Sequence, residues 1–221
     1  MAATSYAGLH RQQHERAKVD ATTRPPVPVP DKAGRDFRSA HRVRFDADKA
    51  RLSGIRSLQA RAERKRELLD GYRDYIQLAL NGGTVQDADV FVGLLIWAVD
   101  AGLYETASTM AVFALENQLP APDGFTRHLP EIIAEEFASA VLRSTQPDAF
   151  TDSLQALAPY LDHEDMADPV RAKFCKAVGM ALQHLAPDAA LQRYQQAQQH
   201  NPRISVKRLI RQLENATTRN D

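Results

Sequence analysis

Residues 87–102 read DADVFVGLLIWAVDAG, and this stretch decides the fold class. It is apolar almost all round and longer than most strands, so we expect a helix that is buried on every side. Thr84 with Asp87 resembles a capping box at its start, and Gly102 is a typical end signal. The sequence therefore predicts a core helix with other helices packed around it.

Helical patterns continue through the rest of the chain, and most of them are bounded by proline or glycine. No segment shows the apolar–polar alternation of a strand. We therefore expect an all-α fold in which residues 83–216 form a bundle of antiparallel helical hairpins. The further helices are predicted over residues 104–118, 130–143, 149–160, 168–184, 187–200 and 204–215.

Two of these hairpins have small residues where their helices would cross closely, a spacing typical of tetratricopeptide-type helix pairs. The two sets are too far apart in sequence for a regular array, so plain antiparallel helix packing is an equal alternative. The sets are Phe174, Ala177, Ala181, Ala190, Tyr194, Ala197 and Pro202, and Phe91, Leu94, Ala98, Ala107, Ala111 and Ala114.

Ahead of the core helix, residues 46–82 predict one long basic helix that starts at Asp46 or Asp48, with a possible hinge at Gly54. Residues 1–45 are basic and proline-rich and predict a disordered arm, and residues 217–221 form a short tail. An apolar stripe runs along the long helix, and we expect it to mediate self-association. The stripe consists of Leu52, Ile55, Ala62, Leu69, Tyr72, Ile76 and Leu80.

A formal net charge of zero conceals an uneven distribution of charge along the chain. Residues 1–80 hold 17 Lys/Arg against 10 Asp/Glu, whereas residues 81–200 hold 6 against 16. Residues 201–221 are basic again, with 5 against 2. A basic front on an acidic helical body indicates a segment that faces a polyanion, attached to an assembly module.

The strongest candidate site is the set of cations on the predicted long helix. Such a set suits contacts with DNA phosphates, which are independent of base sequence and sensitive to salt. Nearby carboxylates favour a merely solvated helix instead, and charge alone leaves the two interpretations even. The candidate DNA-binding residues are Arg51, Arg56, Arg61, Arg64, Lys65 and Arg66, while Arg35, Arg38, Arg42 and Arg44 would add a mobile basic arm.

Motifs for catalysis are missing from the sequence. It has no GxxxxGK[ST] phosphate loop, no HExxH and no paired CxxC, so we predict no catalytic residue, no metal site and no cofactor. Acidic clusters occur mainly at helix starts, where capping explains them. A single cysteine, Cys175, excludes an internal disulfide, and no apolar run is long enough to cross a bilayer. We expect a cytoplasmic protein.

Three segments resemble the terminase small subunit of temperate tailed phages, the gpM-like group often labelled "terminase endonuclease subunit". They read AERKRELLDGYRDYIQLAL, VQDADVFVGLLIWAVDAGLYETASTMAVFALENQLPAP and DMADPVRAKFCKAVGMALQ. The resemblance covers about residues 60–122 and 163–213. It implies a viral protein of the host cytoplasm that acts in genome packaging.

In such a protein, the resemblance implies recognition of double-stranded viral DNA at its packaging or cohesive-end site. It also implies assembly of a homo-oligomeric ring and delivery of the DNA to the terminase large subunit, which carries the ATPase and, in most systems, the nuclease. Residues 46–82 would then bind DNA and oligomerise, and residues 83–216 would assemble and meet the large subunit. The resemblance also implies that some members carry a long basic C-terminal tail. Any DNA contact assigned to such a tail would fall, in this chain, to the N-terminal half or to Arg203, Lys207, Arg208 and Arg211.

Two other functions stay open at this point. The label of the group favours a metal-dependent endonuclease subunit that itself cuts the packaging site. The helical hairpins would also suit a scaffold that binds only protein, with the basic helix solvated. DNA cleavage with Mg²⁺ or Mn²⁺ would distinguish the first, and failure to bind any DNA at about 50 mM salt would distinguish the second.

Overall fold

The computed structural model describes residues 40–82 and 85–217. Within these ranges every regular element is helical, which confirms the all-α prediction. The chain forms two compact units, and their described parts cover residues 40–129 and 130–217. Residues 46–82 and the helices at 88–116 therefore share the N-terminal unit.

The N-terminal unit is built around the predicted core helix. Phe91, Leu94, Leu95 and Ala98 in this helix are fully buried, and the Asp87 carboxylate caps its start by accepting a hydrogen bond from the Val90 N–H at 3.2 Å. Thr84 lies outside the described residues. The helices of this unit are α1 (Ala40–Ser53), α2 (Leu58–Asp70), α3 (Arg73–Gly82), α4 (Ala88–Asp100) and α5 (Tyr104–Glu116).

The single long helix predicted over residues 46–82 is three helices, α1 to α3. The first break lies at the predicted hinge, where Gly54 weakens the helix and Ser57 starts the next one by accepting a hydrogen bond from the Ala60 N–H. The second break follows Gly71, whose N–H donates to the carbonyls of Leu68 and Leu69. Local capping therefore divides residues 46–82, which the sequence predicted to form one continuous helix.

Helix α1 begins at Ala40, so the predicted arm is wrong for residues 40–45. Phe45 in this part of α1 is 3% exposed and packs against α4 at Gly93. A Cβ at Gly93 would lie 2.3 Å from the Phe45 ring, so only glycine permits this approach of α1 to α4. Residues 1–39 of the predicted arm and residues 218–221 of the predicted tail lie outside the described residues.

Four of the seven side chains in the apolar stripe that was expected to mediate self-association are buried inside the N-terminal unit. Leu52, Leu69, Tyr72 and Ile76 are each at most 6% exposed, and Tyr72 packs edge-on against Trp97 of α4. These four side chains pack α1, α2 and α3 within one chain and are not available to a second copy. Self-association through the other three, the half-buried Ile55, Ala62 and Leu80, stays a prediction.

The C-terminal unit continues the all-helical pattern. Prolines open two of its helices at the predicted positions, Pro169 in the first turn of α8 and Pro187 at the start of α9. Its elements are α6 (Leu129–Arg143, whose first residue belongs to the N-terminal unit), a 3-10 helix (Pro147–Phe150), α7 (Thr151–Leu161), α8 (Asp168–Leu182), α9 (Pro187–His200) and α10 (Lys207–Thr217).

Helices α8 and α9 form the closest hairpin of this unit. Gly179 lies under the Tyr194 ring, where a Cβ would come within 2.6 Å of the ring atoms. The small residues that were predicted at this crossing are all buried, including Ala177, Ala181 and Ala190 at no more than 1% exposure. Close crossing of these two helices matches the predicted spacing, while the tetratricopeptide likeness stays a prediction.

Candidate nucleic-acid interface

Two of the six candidate cations, Lys65 and Arg66, are bound to the end of α4. The Lys65 Nζ pairs with the Asp100 carboxylate, and its side chain is only 13% exposed. The Arg66 guanidinium donates to the Ala101 carbonyl from Nε at 3.1 Å and from Nη2 at 2.6 Å. Cations at the C-terminal end of a helix are favourable, because unsatisfied carbonyls make that end negative. Lys65 and Arg66 therefore fasten α2 to α4.

A third candidate, Arg61, closes the connection between α1 and α2. Its Nε and Nη2 donate to the Ile55 carbonyl at 3.1 and 2.5 Å, so the guanidinium satisfies a backbone acceptor in the break between the two helices. This contact gives Arg61 a local structural role.

The other three candidates, Arg51, Arg56 and Arg64, are exposed. Arg51 is 69% exposed and pairs with Asp48 at 3.0 Å, and Arg64 is 45% exposed and pairs with Glu67 at 2.6 Å. The Arg64 pair lies on the surface and contributes little to stability, so a phosphate can replace its carboxylate at low cost, whereas the Asp48 partner of Arg51 is buried. Arg56 lies between α1 and α2, and its side chain makes no hydrogen bond or ion pair with the described part of the chain.

Two arginines that were predicted to lie in a mobile arm are fixed in the structure. Arg42 donates to Asp87 from Nε at 2.7 Å and from Nη2 at 2.6 Å, and to Asp89 at 2.8 Å. Burial by itself lowers the pKa of Arg42, but the bonds to these two carboxylates raise it overall. The mobile-arm prediction is therefore wrong for Arg42. This ion-pair group was not recognisable from the sequence, because its members lie far apart along the chain.

Asp89 receives two bonds that favour its charged form. Burial alone would raise its pKa, but the Arg42 guanidinium and the Asp123 backbone N–H together hold the pKa below the usual 3.8. The carboxylate therefore joins α1, the first turn of α4 and the loop after α5 into one ion-pair group.

Arg44 is fixed as well, over Tyr72 on the other side of α1. Its guanidinium carbon lies 4.4 Å from the centre of the Tyr72 ring, and Nη1 donates to the Gly71 carbonyl at 2.6 Å. Below it, the Tyr72 hydroxyl donates to the buried Asp48 carboxylate at 2.8 Å. Burial raises the pKa of the Tyr72 hydroxyl, and the hydrogen bond to the Asp48 carboxylate raises it further.

The acidic clusters of the sequence are partly occupied by cations of the same chain. Asp162 receives two hydrogen bonds from Arg193, at 2.7 and 2.6 Å, and Glu135 pairs with Lys173 at 2.5 Å. Within residues 40–82 and 85–217, no three His, Cys, Asp or Glu side chains are grouped as metal ligands. Asp162 and Glu135, one from each of these two clusters, therefore serve as partners of arginine and lysine.

A different group of cations lies at the end of the C-terminal unit. Arg203, Lys207, Arg208 and Arg211 are all exposed, and none of the four side chains makes a hydrogen bond or ion pair with the described residues. We call these four residues the C-terminal basic cluster. In the sequence it was one of two places to which the DNA contact of a basic C-terminal tail would fall.

Comparison with known proteins places this chain among the DNA-packaging proteins of phages. Residues 42–169 match the family model described as "Phage small terminase subunit". The chain is also similar to the "Terminase, endonuclease subunit" of Escherichia phage P2, with 31% identity over 179 residues that cover 78% of this chain and 71% of that protein. No solved structure matches the chain.

The chain belongs to the phage small terminase subunit family, because the family model spans more than half of it. The resemblance noted in the sequence is confirmed. A role in the packaging of phage DNA follows from this membership. Among the helices at residues 40–82 and 85–217, none combines the length and apolar character that crossing a membrane requires.

Proposed function

We propose that this protein binds double-stranded phage DNA at the packaging or cohesive-end site and delivers it to the terminase large subunit. In this proposal it acts in the cytoplasm of the infected host as a homo-oligomer, with a ring as the expected form. Membership of the small terminase subunit family carries the proposal. The exposed cations of the N-terminal unit support it, because a protein that positions DNA without reading bases needs accessible positive charge.

The proposed DNA contacts in the N-terminal unit are Arg51, Arg56 and Arg64. Each is exposed. The Arg64 pair with Glu67 is a surface pair that exchanges easily with a phosphate, and the Arg51 side chain is 69% exposed although its partner Asp48 is buried. Arg61, Lys65 and Arg66 were predicted for the same role, but their side chains already bind groups of this chain. We assign these three to holding α2 in place, so that their contribution to DNA binding is indirect.

The experiment that tests DNA binding compares the full chain with an Arg56→Ala, Arg64→Ala variant on packaging-site DNA across a salt series. We expect the slope of log affinity against log salt to fall by about 2, since each phosphate contact contributes about 0.9. Unchanged affinity and slope would refute the assignment of these residues. The Arg73→Ala variant is the control, because Arg73 is an exposed cation of the same unit with only a surface partner.

Self-association requires a surface other than the four buried side chains of the stripe. Large apolar side chains that remain exposed in the N-terminal unit include Leu58 at 78%, Leu78 at 61% and Val43 at 54%. We propose that these side chains contribute to contacts between copies. The molecular mass in solution, measured with and without DNA, tests the oligomer, and a monomer under both conditions would contradict the ring.

An endonuclease is the second candidate, and the name of the phage P2 relative is the observation that favours it. In that case the purified chain would cut packaging-site DNA with Mg²⁺ or Mn²⁺ in the absence of the large subunit. Substitution of the exposed pair Glu164 and Asp165 by Gln and Asn would have to abolish cutting. Intact DNA under these conditions would leave recognition and delivery as the function.

A protein-binding scaffold is the remaining alternative from the sequence. It requires the exposed cations to be merely solvated. The wild-type chain would then fail to bind double-stranded DNA at about 50 mM salt, where electrostatic binding is strong.

A further inference from the structure

The C-terminal basic cluster brings together, within nine residues, four cations that have no partner among the described residues. Arg203, Lys207, Arg208 and Arg211 are exposed, and their side chains contact no carboxylate, carbonyl or aromatic ring of the described residues. In the same unit, Arg171, Lys173 and Arg193 all bind carbonyl or carboxylate oxygens. Positive charge without an internal partner is therefore concentrated in this short segment of the C-terminal unit.

The backbone that carries this cluster is firmly anchored. Val206 is fully buried, Ile210 and Leu213 are each 9% exposed, and α10 packs on α9. This apolar stripe at positions i, i+4 and i+7 fixes which side of α10 faces the protein. Lys207 and Arg211 are one turn apart, about 6 Å along the axis, and so present charge on a common face.

The positions of these cations do not stabilise the helix. Lys207 and Arg208 occupy the first turn of α10, which contains no acidic residue, and cations are unfavourable at the positive end of a helix. Lys207 and Arg211 also repel each other at the i, i+4 spacing. A cluster that costs folding stability and has no internal partner is more simply explained by a ligand than by folding.

Phosphate oxygens of a nucleic acid match this arrangement of four solvated cations. Phosphates follow one another closely along duplex DNA, so several side chains spread over one helix face can each find a partner. No base-reading geometry is needed, because contacts to phosphate position a protein without reading sequence.

We propose that the C-terminal basic cluster is a second surface that contacts the phosphates of double-stranded DNA, separate from Arg51, Arg56 and Arg64. This inference rests on the proposed DNA-binding function and extends it to the C-terminal unit. Each compact unit would then contribute its own part of the salt dependence of DNA binding.

The test measures binding of the full chain to a mixed-sequence DNA duplex between about 50 and 200 mM salt. We expect a Lys207→Ala, Arg211→Ala variant to reduce the slope of log affinity against log salt by about 2, which is about a tenfold smaller change in affinity across that range. The matched control, Arg73→Ala with Arg127→Ala, removes two exposed cations of the N-terminal unit and should leave the slope unchanged. A charge-retaining Lys207→Arg, Arg211→Lys variant should restore the wild-type slope.

The outcomes separate this inference from the proposed function. A wild-type chain that does not bind DNA contradicts the proposed function itself. If the wild type binds DNA and the C-terminal variant has the same slope as the control, DNA binding stands and the second surface is overturned. A C-terminal variant that binds DNA normally but loses oligomeric mass would identify a second copy as the occupant, which also overturns the proposal.

Discussion

The two basic segments of this protein differ in what their cations do. Among the six cations predicted to bind DNA, only Arg56 has no partner within the described residues, and Lys65 and Arg66 are bound to the end of α4. In the C-terminal basic cluster, none of the four side chains has such a partner. The segment with more positive charge therefore has the smaller fraction of it free for a ligand.

This difference shows that the amount of charge in a segment and its availability are separate properties. Carboxylates and carbonyls of the same fold occupy much of the N-terminal charge, as in the bonds from Arg42 to Asp87 and Asp89. Long-range attraction of a polyanion depends on the total charge, whereas close contact depends on the side chains that remain free.

Replacement of Arg42 by Ala should have the largest effect on stability. It leaves Asp87 and Asp89 without their partner, and both are less than one-fifth exposed, so we expect a loss of about 2 kcal/mol. Urea unfolding followed by Trp97 fluorescence measures it, because Trp97 is the only tryptophan and lies in the N-terminal core. An Arg42→Lys variant, which keeps the charge without the two-pronged bond, should lose less. Equal stability of all three proteins would contradict a structural role for Arg42.

Neighbouring residues Lys65 and Arg64 should separate stability from DNA binding. Lys65→Ala breaks the pair with Asp100 and should cost about 1 kcal/mol, with little change in the salt dependence of DNA binding. Arg64→Ala should change stability by less than about 0.5 kcal/mol but reduce the salt slope by about 1. Unfolding followed by fluorescence measures the stability of both variants, and DNA titration across a salt series measures their salt slopes. A reduced slope for Lys65→Ala in an intact fold would show that this lysine contacts DNA directly.

Acidification should weaken the ion-pair group at Asp89. Since its pKa in the folded protein lies below the usual 3.8, this carboxylate stabilises the fold above about pH 4, and the stabilisation is lost as the pH falls through the folded value. An Asp89→Asn variant should therefore be less stable than the wild type at neutral pH, by about 1 kcal/mol, and the two should converge in acid. Unfolding midpoints between pH 7 and pH 3 provide the measurement. A constant difference at every pH would show that the charge of Asp89 has no role.

The smallest effect is expected in the C-terminal basic cluster. Lys207→Ala should raise the stability of the C-terminal unit by about 0.3 kcal/mol, because it removes a cation from the positive end of α10. Thermal melting followed by circular dichroism measures this change, since the C-terminal unit has no tryptophan. Arg211→Ala, one turn further along the helix, is the comparison and should gain less. A clear loss of stability for Lys207→Ala would mean that this lysine supports the fold.

The sequence predicted a helix well where the signals for its start and its end lie in neighbouring residues. Pro187 and His200 bound α9 as expected, and the core helix α4 follows directly from its apolar composition. The division of residues 46–82 was only partly visible, through Gly54. The break at Gly71 also involves Arg44, which lies 27 residues away in sequence and binds the Gly71 carbonyl. Contacts of this kind depend on the fold and leave no local pattern.

The sequence predicted that the candidate site is basic, but it did not predict which of its cations bind groups of the same chain. Asp100 is 35 residues from Lys65, and the Ala101 carbonyl that binds Arg66 is a backbone group with no signature in the sequence. Arg42 was assigned to a mobile segment because the pairing acids at positions 87 and 89 belong to another helix. Conversely, the C-terminal basic cluster gained importance because the structure leaves its cations without partners.

The close approach at Gly93 has a consequence for how the surface proposed to bind DNA can change. The side chain that fills the space above this glycine, Phe45, belongs to the same helix as Arg51. Exchange of one hydrogen for a methyl group at position 93 would push that helix outward and carry the arginine with it. Natural variation at position 93 could therefore change the position of Arg51 on the surface through a contact in the core, without gain or loss of a single charge.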